Sequence, residues 1–327
     1  MSTPQNPDSW QYRALNARNP GLDYLSDALI DLAREGHPVV AGSADLQYSN
    51  GLNKFAGEFP ERYVQFGISE QNMVSAAAGM ATTGLMPFVA TFASFLGLLC
   101  CEQIRMDVAY CKLPVRLVGH HTGISLGFYG TSHHATEDIS TMRAIANLTV
   151  ISPADGAQLA AAIRASATWP DPIYFRIGRG RDPKVYEDGV EFTIGKAIVH
   201  SVGRDVTIIG CGLPVAGALE AADNLRAEGI SAGVIDMPTI KPLDRDAITR
   251  AAKETGALVV AEEHLMDGGL GVRVAQVVGE THPTVMEFVG INNTYAESAT
   301  PDQLLDKYGL RAVNVVAAAR RALSRKR

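Results

Sequence analysis

Short apolar runs alternate with longer stretches in which apolar residues recur every three or four positions along most of this 327-residue chain. The first pattern is typical of buried strands, and the second is typical of helices that cover a sheet. In the first half we predict strands over 38–42, 86–92, 115–119, 149–152 and 173–177, and helices over 22–36, 69–83, 95–110 and 155–168 and from near 137. This alternation predicts a parallel sheet built of βαβ units.

The pattern is interrupted by residues 178–190, a polar segment with glycine, proline and several charges that is typical of a linker. A smaller set of elements follows, with strands over 206–210, 232–236, 258–261 and 285–289, helices over 215–228, 244–255 and 312–323 and another after 271, and a turn between Pro238 and Pro242. We therefore predict a two-domain α/β protein, with an N-terminal extension (1–21), a parallel-sheet domain (22–185) and a second α/β domain (186–327).

Composition narrows the class of protein. The hydrophobic fraction of 46% and the charged fraction of 20% are typical of globular proteins that stay in solution. A net charge of −6 provides no basic surface for nucleic acid. No stretch reaches the roughly 20 apolar residues of a membrane span, and the first residues lack the apolar core of a signal peptide. We expect a cytoplasmic protein that binds neither nucleic acid nor membrane.

The four cysteines, Cys100, Cys101, Cys111 and Cys211, lie in apolar stretches and show no paired spacing. We expect them to be reduced, buried thiols with a structural role, as is usual in the cytoplasm. Metal binding and redox chemistry are the less favoured alternatives for these side chains.

Four of the eight histidines form two adjacent pairs, His120–His121 and His133–His134, at the end of a predicted strand and in the loop after it. Loops at the carboxyl ends of parallel strands bind ligands, so we expect proton transfer or hydrogen bonding to a polar substrate. A zinc site and solvated or capping histidines are the alternatives. Successive residues of an extended segment face opposite sides, so one member of each pair should point away from the site.

Glu70 lies in the first turn of a predicted helix whose following residues are small. It either complements the helix dipole or lies buried, in which case a carboxyl can hold a proton near neutral pH. Phe92 and Phe95 follow a strand, where aromatic residues more often belong to the core than to a binding site.

Glycine-rich phosphate-binding motifs are absent from the sequence. The glycine-rich run at 267–271 is expected to form a turn and a helix start. The chain therefore has candidate substrate-binding residues but no visible place for a diphosphate and its metal.

Ordered matches from about residue 22 to 323 together resemble the transketolase family. They include AGSADLQYSN, QFGISEQNMVSAAAGMA, PFVATFASFL, GTSHHATEDI, YFRIGRG and GVIDMPTIKPLD. The resemblance implies a thiamine-diphosphate enzyme whose first domain binds the cofactor's aminopyrimidine and whose second is similar to the family's C-terminal domain. No segment matches the family's diphosphate-binding domain. The resemblance thus implies a split enzyme, in which an N-terminal transketolase subunit holds most of the diphosphate and Mg²⁺ contacts and the two chains form a heterotetramer.

The resemblance also implies roles for single residues toward the cofactor. Glu70 falls on the glutamate that hydrogen-bonds the aminopyrimidine and helps to activate the cofactor, and is therefore expected to be catalytic. Phe92 and Phe95 fall on the aromatic pocket for this ring, whose third aromatic residue is Leu98 here. Asp45 lies in a motif near the cofactor and the substrate.

On the substrate side, the resemblance places His121 and His133 on two histidines that polarise sugar oxygens and assist proton transfer, with His120 and His134 as bystanders. Ser49 and Arg179 match residues that bind the sugar phosphate, and a guanidinium can hold a phosphate with two parallel hydrogen bonds. A surface arginine in a linker is the alternative for Arg179.

Two departures from the family pattern concern the substrate. Tyr129 replaces the aspartate that reads the hydroxyls of the donor sugar, so a neutral phenol stands in place of an anionic acceptor. A second phosphate-binding arginine has no clear counterpart, since Arg18 is nearby but out of register. We therefore expect a donor other than an ordinary ketose phosphate.

We predict the transfer of a two-carbon ketol unit from a ketose or ketose phosphate to an aldose. The alternatives are a β subunit of a 2-oxo-acid dehydrogenase, a deoxyxylulose-phosphate-synthase-like enzyme, and a non-catalytic structural subunit. The second domain has no residue assigned to chemistry, and we expect it to serve dimer packing.

Overall fold

The computed structural model describes residues 20–180 and 182–326. They form two α/β domains, each built around one sheet. No helix in these ranges is long and apolar enough to cross a membrane. The strands are β1 Val39–Ser43, β2 Tyr63–Gln65, β3 Met86–Phe92, β4 Arg116–His120, β5 Thr149–Ile151, β6 Ile173–Arg176, β7 Ile198–Ser201, β8 Val206–Gly210, β9 Ala232–Asp236, β10 Thr239–Lys241, β11 Ala257–Leu265 and β12 Val285–Ile291.

The first sheet has seven strands in the order β10-β5-β6-β4-β3-β1-β2, and the second has five in the order β12-β11-β8-β9-β7. All pairs among β1 to β6 are parallel. Every residue of β8 and β9 is buried, as expected for parallel strands covered by helices on both faces. The predicted fold of two mainly parallel α/β domains is confirmed.

Helices cover both sheets. Those around the first sheet are Pro20–Arg34, Asn53–Glu58, Glu70–Thr82, Asp138–Ala144 and Gly156–Ser166; those around the second are Pro214–Ala227, Arg245–Thr255, Leu270–Thr281, Pro301–Lys307 and Ala312–Arg325. The helix predicted over 95–110 is present, but most of it is π-helical, over Phe95–Leu99 and Ile104–Tyr110. Single π-helical turns occur frequently at functional sites.

The prediction of a turn between Pro238 and Pro242 is wrong. Residues Thr239–Lys241 form β10, which pairs antiparallel with β5 at the edge of the first sheet. The second half of the chain therefore contributes a strand to the sheet of the first. Local sequence does not reveal this strand, because it is short and its partner lies in the other domain.

The polar segment 178–190 is held against the first domain. The carboxylate oxygen Oδ2 of Asp155 accepts hydrogen bonds from the backbone N–H groups of Val185 and Tyr186, both at 2.7 Å. The segment predicted as a linker therefore makes specific hydrogen bonds to the first domain.

All four cysteines are free thiols. Cys100 and Cys211 are buried, but the expectation of burial is wrong for Cys111, which is exposed just after the π-helical segment. Burial raises the pKa of the Cys100 thiol to about 12, with a smaller contribution from the charge of Glu70. Cys100 is therefore a neutral, unreactive side chain that lies near Glu70.

Candidate active site

The carboxyl ends of β1, β2, β3, β4 and β6 meet at one edge of the first sheet, where open parallel sheets bind their ligands. The predicted site residues follow these strands: Asp45 and Ser49 after β1, Glu70 after β2, Phe92 and Phe95 at and after the end of β3, His121, Tyr129 and His133 after β4, and Arg179 after β6. The topology thus brings residues from five separate segments to one edge.

Phe92 is the centre of a cluster of rings at this edge. Its ring centroid lies 5.6 Å from that of Phe95, 4.9 Å from His120, 5.1 Å from His121 and 5.3 Å from His133. Phe95 also contacts the His133 ring at 5.3 Å. Four of the predicted site residues therefore form one contiguous group, in which two histidines adjoin an aromatic surface.

The prediction that one member of the pair His120–His121 points away from the site is wrong, since both rings lie beside Phe92. The two rings lie 4.6 Å apart, and their Nδ1 atoms are 2.5 Å apart, so one nitrogen donates a hydrogen to the other. The alternation of an extended chain fails here because His121 has a φ of +59°. Burial lowers the pKa of His120 to about 3, so this ring is uncharged at neutral pH.

His133 and His134 have different surroundings. His133 is half-buried, its Nδ1 lies 2.9 Å from the Ser132 hydroxyl, and burial lowers its pKa. His134 is buried and its Nε2 lies 3.2 Å from the carbonyl oxygen of Gly127, so it supports the loop. Of this pair, only His133 contacts the ring cluster among the described residues.

Glu70 is the first residue of helix Glu70–Thr82 and is only 6% exposed. The Thr91 hydroxyl lies 3.5 Å from its Oε1, and no lysine, arginine or histidine in the described ranges forms an ion pair with it. The Gln71 side chain donates a 3.0 Å hydrogen bond to the carbonyl oxygen of Leu99, which joins this helix start to the segment after Phe95. Glu70 is therefore a buried carboxyl that contacts Thr91, the residue before Phe92.

Asp45 and Ser49 lie in the loop after β1. Asp45 is exposed, has a φ of +59°, and its backbone N–H donates to the Gln65 side chain at 2.6 Å. Ser49 is half-buried. The loop is tied down by Asn50, which donates a 2.8 Å hydrogen bond to the Ser43 hydroxyl. No hydrogen bond within the described ranges joins Asp45 or Ser49 to the ring cluster, so their predicted roles rest on position alone.

Tyr129 and Arg179 extend the row of rings away from Phe92. The Tyr129 ring lies 4.9 Å from His133 and 4.5 Å from Phe128, and the guanidinium of Arg179 lies 5.4 Å from the centroid of Phe128. Arg179 also lines a cavity of about 530 Å³ between the two domains, together with Ser125. It is therefore buried at the site's edge, and the alternative of a surface arginine is wrong.

The residues that sequence reasoning missed lie mainly in the second domain. Glu262, Glu263 and His264, near the end of β11, are all buried. Glu263 accepts a hydrogen bond from Ile124, in the loop that carries Tyr129 and His133, and His264 accepts one from Ser140 in the helix after that loop. The sequence did contain a signal for them, since three consecutive titratable residues follow the apolar run ALVVA. Charged groups are rarely buried without partners, so such a run at the end of a buried strand indicates specific contacts. Asp138 and Arg176, a buried ion pair at 2.9 Å, were missed as well.

Two family models match the chain: the transketolase pyrimidine-binding domain over residues 22–183 and the transketolase C-terminal domain over residues 195–315. A 6-deoxy-6-sulfo-D-fructose transketolase subunit, SqwH, from Clostridium sp. (strain MSTE9) is 38% identical over 304 residues, which are 93% of this chain and 94% of the relative. The chain belongs to the transketolase family. The predicted family and its two domains are confirmed.

Other transketolase relatives match over nearly their whole length as well. A subunit of the apulose-4-phosphate transketolase of Phocaeicola vulgatus is 37% identical over 88% of this chain and 92% of its own. A solved structure described as a split gene transketolase, inactive beta4 tetramer, is 42% identical with a TM-score of 0.88, covering 94% of this chain and 99% of the other.

The residues at the edge of the first sheet fit the aminopyrimidine of thiamine diphosphate, which the pyrimidine-binding domain implies. A flat heteroaromatic ring needs an apolar surface and a hydrogen-bonding group, and Phe92, Phe95 and the buried carboxyl of Glu70 provide them. For the diphosphate's metal the fit is poor: the described ranges contain no group of three or more His, Cys, Asp or Glu side chains that could hold an ion.

Proposed function

We propose that this chain is the pyrimidine-binding subunit of a two-chain, thiamine-diphosphate-dependent transketolase that moves a two-carbon ketol unit from a ketose to an aldose. The observation that carries the proposal is the placement of Glu70, Phe92, His121 and His133 at one sheet edge in a chain with both transketolase domains. The match to transketolase subunits over nearly their full length supports a split enzyme.

Glu70 and the two phenylalanines would hold the cofactor's aminopyrimidine. The carboxyl of Glu70 would share a proton with a ring nitrogen, and the faces of Phe92 and Phe95 would cover the ring. The chemistry that thiamine diphosphate supplies when bound is a nucleophilic carbon that attacks the carbonyl of a ketose. The low exposure of Glu70 keeps water away from its contact with the ring.

His121 and His133 would act on the sugar. Both rings contact Phe92, so a donor carbonyl placed over that surface lies within reach of both histidines. Because burial lowers the pKa of His133, its ring is neutral at pH 7 and can accept a proton from a sugar hydroxyl and return it later. Arg179 and Ser49 would bind the charged end of the substrate.

A partner chain would supply the diphosphate and Mg²⁺ contacts. Beside Glu70, the apolar side chains of Ile68, Leu98 and Leu99 are 84%, 53% and 50% exposed, which is unusual for large aliphatic residues so close to a site. Such a surface supports an interface with the N-terminal transketolase subunit, and a heterotetramer of two copies of each chain follows the usual symmetry.

A ketol-transfer assay tests the proposal. The full chain is assayed alone and with an N-terminal transketolase subunit, each with thiamine diphosphate and magnesium. We expect transfer only in the mixture. Transfer by the chain alone would refute the split enzyme, and release of carbon dioxide from pyruvate by the mixture would favour an oxo-acid enzyme or a deoxyxylulose-phosphate-synthase-like enzyme.

We further propose that the donor is a modified ketose with an anionic end. Tyr129 is 43% exposed and contacts His133, where the family has an aspartate for the donor's hydroxyls. Relatives of this chain are named for 6-deoxy-6-sulfo-D-fructose and for apulose 4-phosphate, both anionic. Comparing both donors with xylulose 5-phosphate tests this, and equal rates with all three would contradict it.

A further inference from the structure

The loop that carries Tyr129 and His133 is closed at its base by a two-stranded bridge. The N–H of Gly123 donates to the carbonyl oxygen of Ala135 at 3.0 Å, and the N–H of Ala135 donates back at 2.9 Å. His121 lies just before this bridge and His133 just inside it. The bridge therefore joins the two chain segments that carry these histidines.

Glu263 of the second domain bonds directly to this base. Its Oε1 accepts a 2.8 Å hydrogen bond from the N–H of Ile124, and the side chain is only 3% exposed. The carboxyl packs so closely on Gly123 that a Cβ there would lie 2.2 Å from Cδ of Glu263. Gly123 also has a φ of +57°, so this position requires glycine on both counts.

The backbone near Glu263 holds the other end of the loop. The carbonyl oxygen of Glu263 accepts a 2.9 Å hydrogen bond from Arg176, whose same nitrogen lies 3.3 Å from the carbonyl oxygen of Ala135. The N–H of Leu265 donates to the carbonyl oxygen of Thr136 at 2.9 Å. Strand β11 thus contacts both ends of the loop. Its contact with the end at Ile124 is made by the side chain of Glu263.

We propose that Glu263 is a positioning residue that sets where His121 and His133 stand against the substrate, although it belongs to the other domain. This inference rests on the proposed function for what the histidines do. It assigns the second domain a part in the site, in addition to packing. The contact with Ile124 is a backbone contact, so it holds the loop whatever side chains the loop carries.

Glu262 offers a matched control on the same strand. It is equally buried, but its carboxylate accepts hydrogen bonds from the N–H groups of Leu270 and Gly271 at 2.7 and 2.9 Å, at the start of helix Leu270–Thr281. Loss of either carboxylate removes a buried acceptor of the same kind. Only the loss at Glu263 removes the side-chain hydrogen bond to Ile124, at the base of the loop that carries His133.

The test compares Glu263→Ala, Glu263→Gln, Gly123→Ala and Glu262→Ala in the full chain. Amide hydrogen exchange reports on residues 122–136, and NMR of labelled histidine reports on the rings of His121 and His133. We expect Glu263→Ala and Gly123→Ala to speed exchange over 122–136 by about tenfold or more and to shift both ring signals. Glu263→Gln keeps an acceptor oxygen and should stay near wild type, and Glu262→Ala should affect only 270–281.

In the assembled enzyme, Glu263→Ala should lower kcat by about tenfold to a hundredfold with a smaller change in KM, since misplacing a catalytic group by about 1 Å has this effect. Exchange and ring signals that match those of Glu262→Ala would overturn the proposal, as would a loosened loop with a wild-type kcat. A third outcome separates the two proposals. If Glu263→Ala speeds exchange over 122–136 but the assembled wild-type enzyme transfers no ketol unit, the proposed function is refuted, and the placement of the histidines by Glu263 is still supported.

Discussion

Replacing Asp138 with asparagine should destabilise the folded chain strongly, because it removes the charge that compensates a buried guanidinium. Arg176 Nε lies 2.9 and 3.2 Å from the two carboxylate oxygens of Asp138, and the two side chains are 2% and 1% exposed. The hydroxyl of Tyr174 also donates to Asp138, at 2.8 Å. Asparagine keeps the shape of the side chain but leaves Arg176 charged, buried and without this partner.

The expected cost follows from the burial of the pair. Breaking a buried ion pair by removing one partner costs about 3–5 kcal/mol, because the remaining charge lies in a medium of low polarity. Glu263, whose charge also acts on Arg176, offsets part of this loss, so we expect the lower end of the range. Since native proteins are stable by only about 5–15 kcal/mol, the loss should be plain in any unfolding experiment.

Urea unfolding followed by circular dichroism measures the effect. The exposed pair of Arg245 and Glu280, at 2.7 Å, provides the control: Glu280→Gln should cost about 1 kcal/mol or less. A double variant, Asp138→Asn with Arg176→Met, removes both charges and should be more stable than Asp138→Asn alone. Equal costs for Asp138→Asn and Glu280→Gln, or additive costs in the double variant, would refute this reasoning.

Three further predictions concern single side chains. Burial raises the pKa of Glu263 from 4.5 to about 7, so the folded chain holds this proton more tightly than the unfolded chain, and its stabilising contribution is lost as pH rises through about 7. Glu263→Gln should therefore flatten the fall in the free energy of unfolding between pH 4.5 and pH 7, by up to about 3 kcal/mol, and an unchanged slope would contradict this. Glu70→Ala should lower the kcat of the assembled enzyme by about 10²–10⁴-fold with little change in thermal unfolding, and an unaltered rate would support a non-catalytic subunit. Tyr129→Asp should raise kcat/KM for xylulose 5-phosphate relative to that for 6-deoxy-6-sulfofructose, and an unchanged ratio would exclude Tyr129 from donor selection.

The elements predicted most accurately are strands whose residues are nearly all buried. Strands β3, β8 and β9 have the predicted bounds because nearly all their residues are buried, so the apolar run and the strand coincide. Strands β2, β7 and β10 were missed. They have three or four residues, lie at or near sheet edges, and depend on pairing with distant segments, which a local pattern does not encode.

The candidate site divides in the same way. The meeting of Phe92, His121 and His133 was predictable because parallel strands end at a common edge. The contact of His120 with His121 was not, because a positive φ at a histidine cannot be read from the residue type. The contacts of Glu263 were not predictable either, because they depend on how the second sheet packs against the first. Glu263 and Ile124 are 139 residues apart in the sequence.

The way in which the second domain holds the histidine loop bears on how one fold can serve several sugar donors. Three of its hydrogen bonds reach backbone groups, at Ile124 and Thr136 of the loop and at Ser140 of the helix that follows. Backbone groups are the same whatever side chain a position carries, so a change such as aspartate to tyrosine at 129 leaves these bonds intact. Under the proposed function, such a site can change the residue that contacts the donor while the histidines keep their positions, so one fold can serve different substrates.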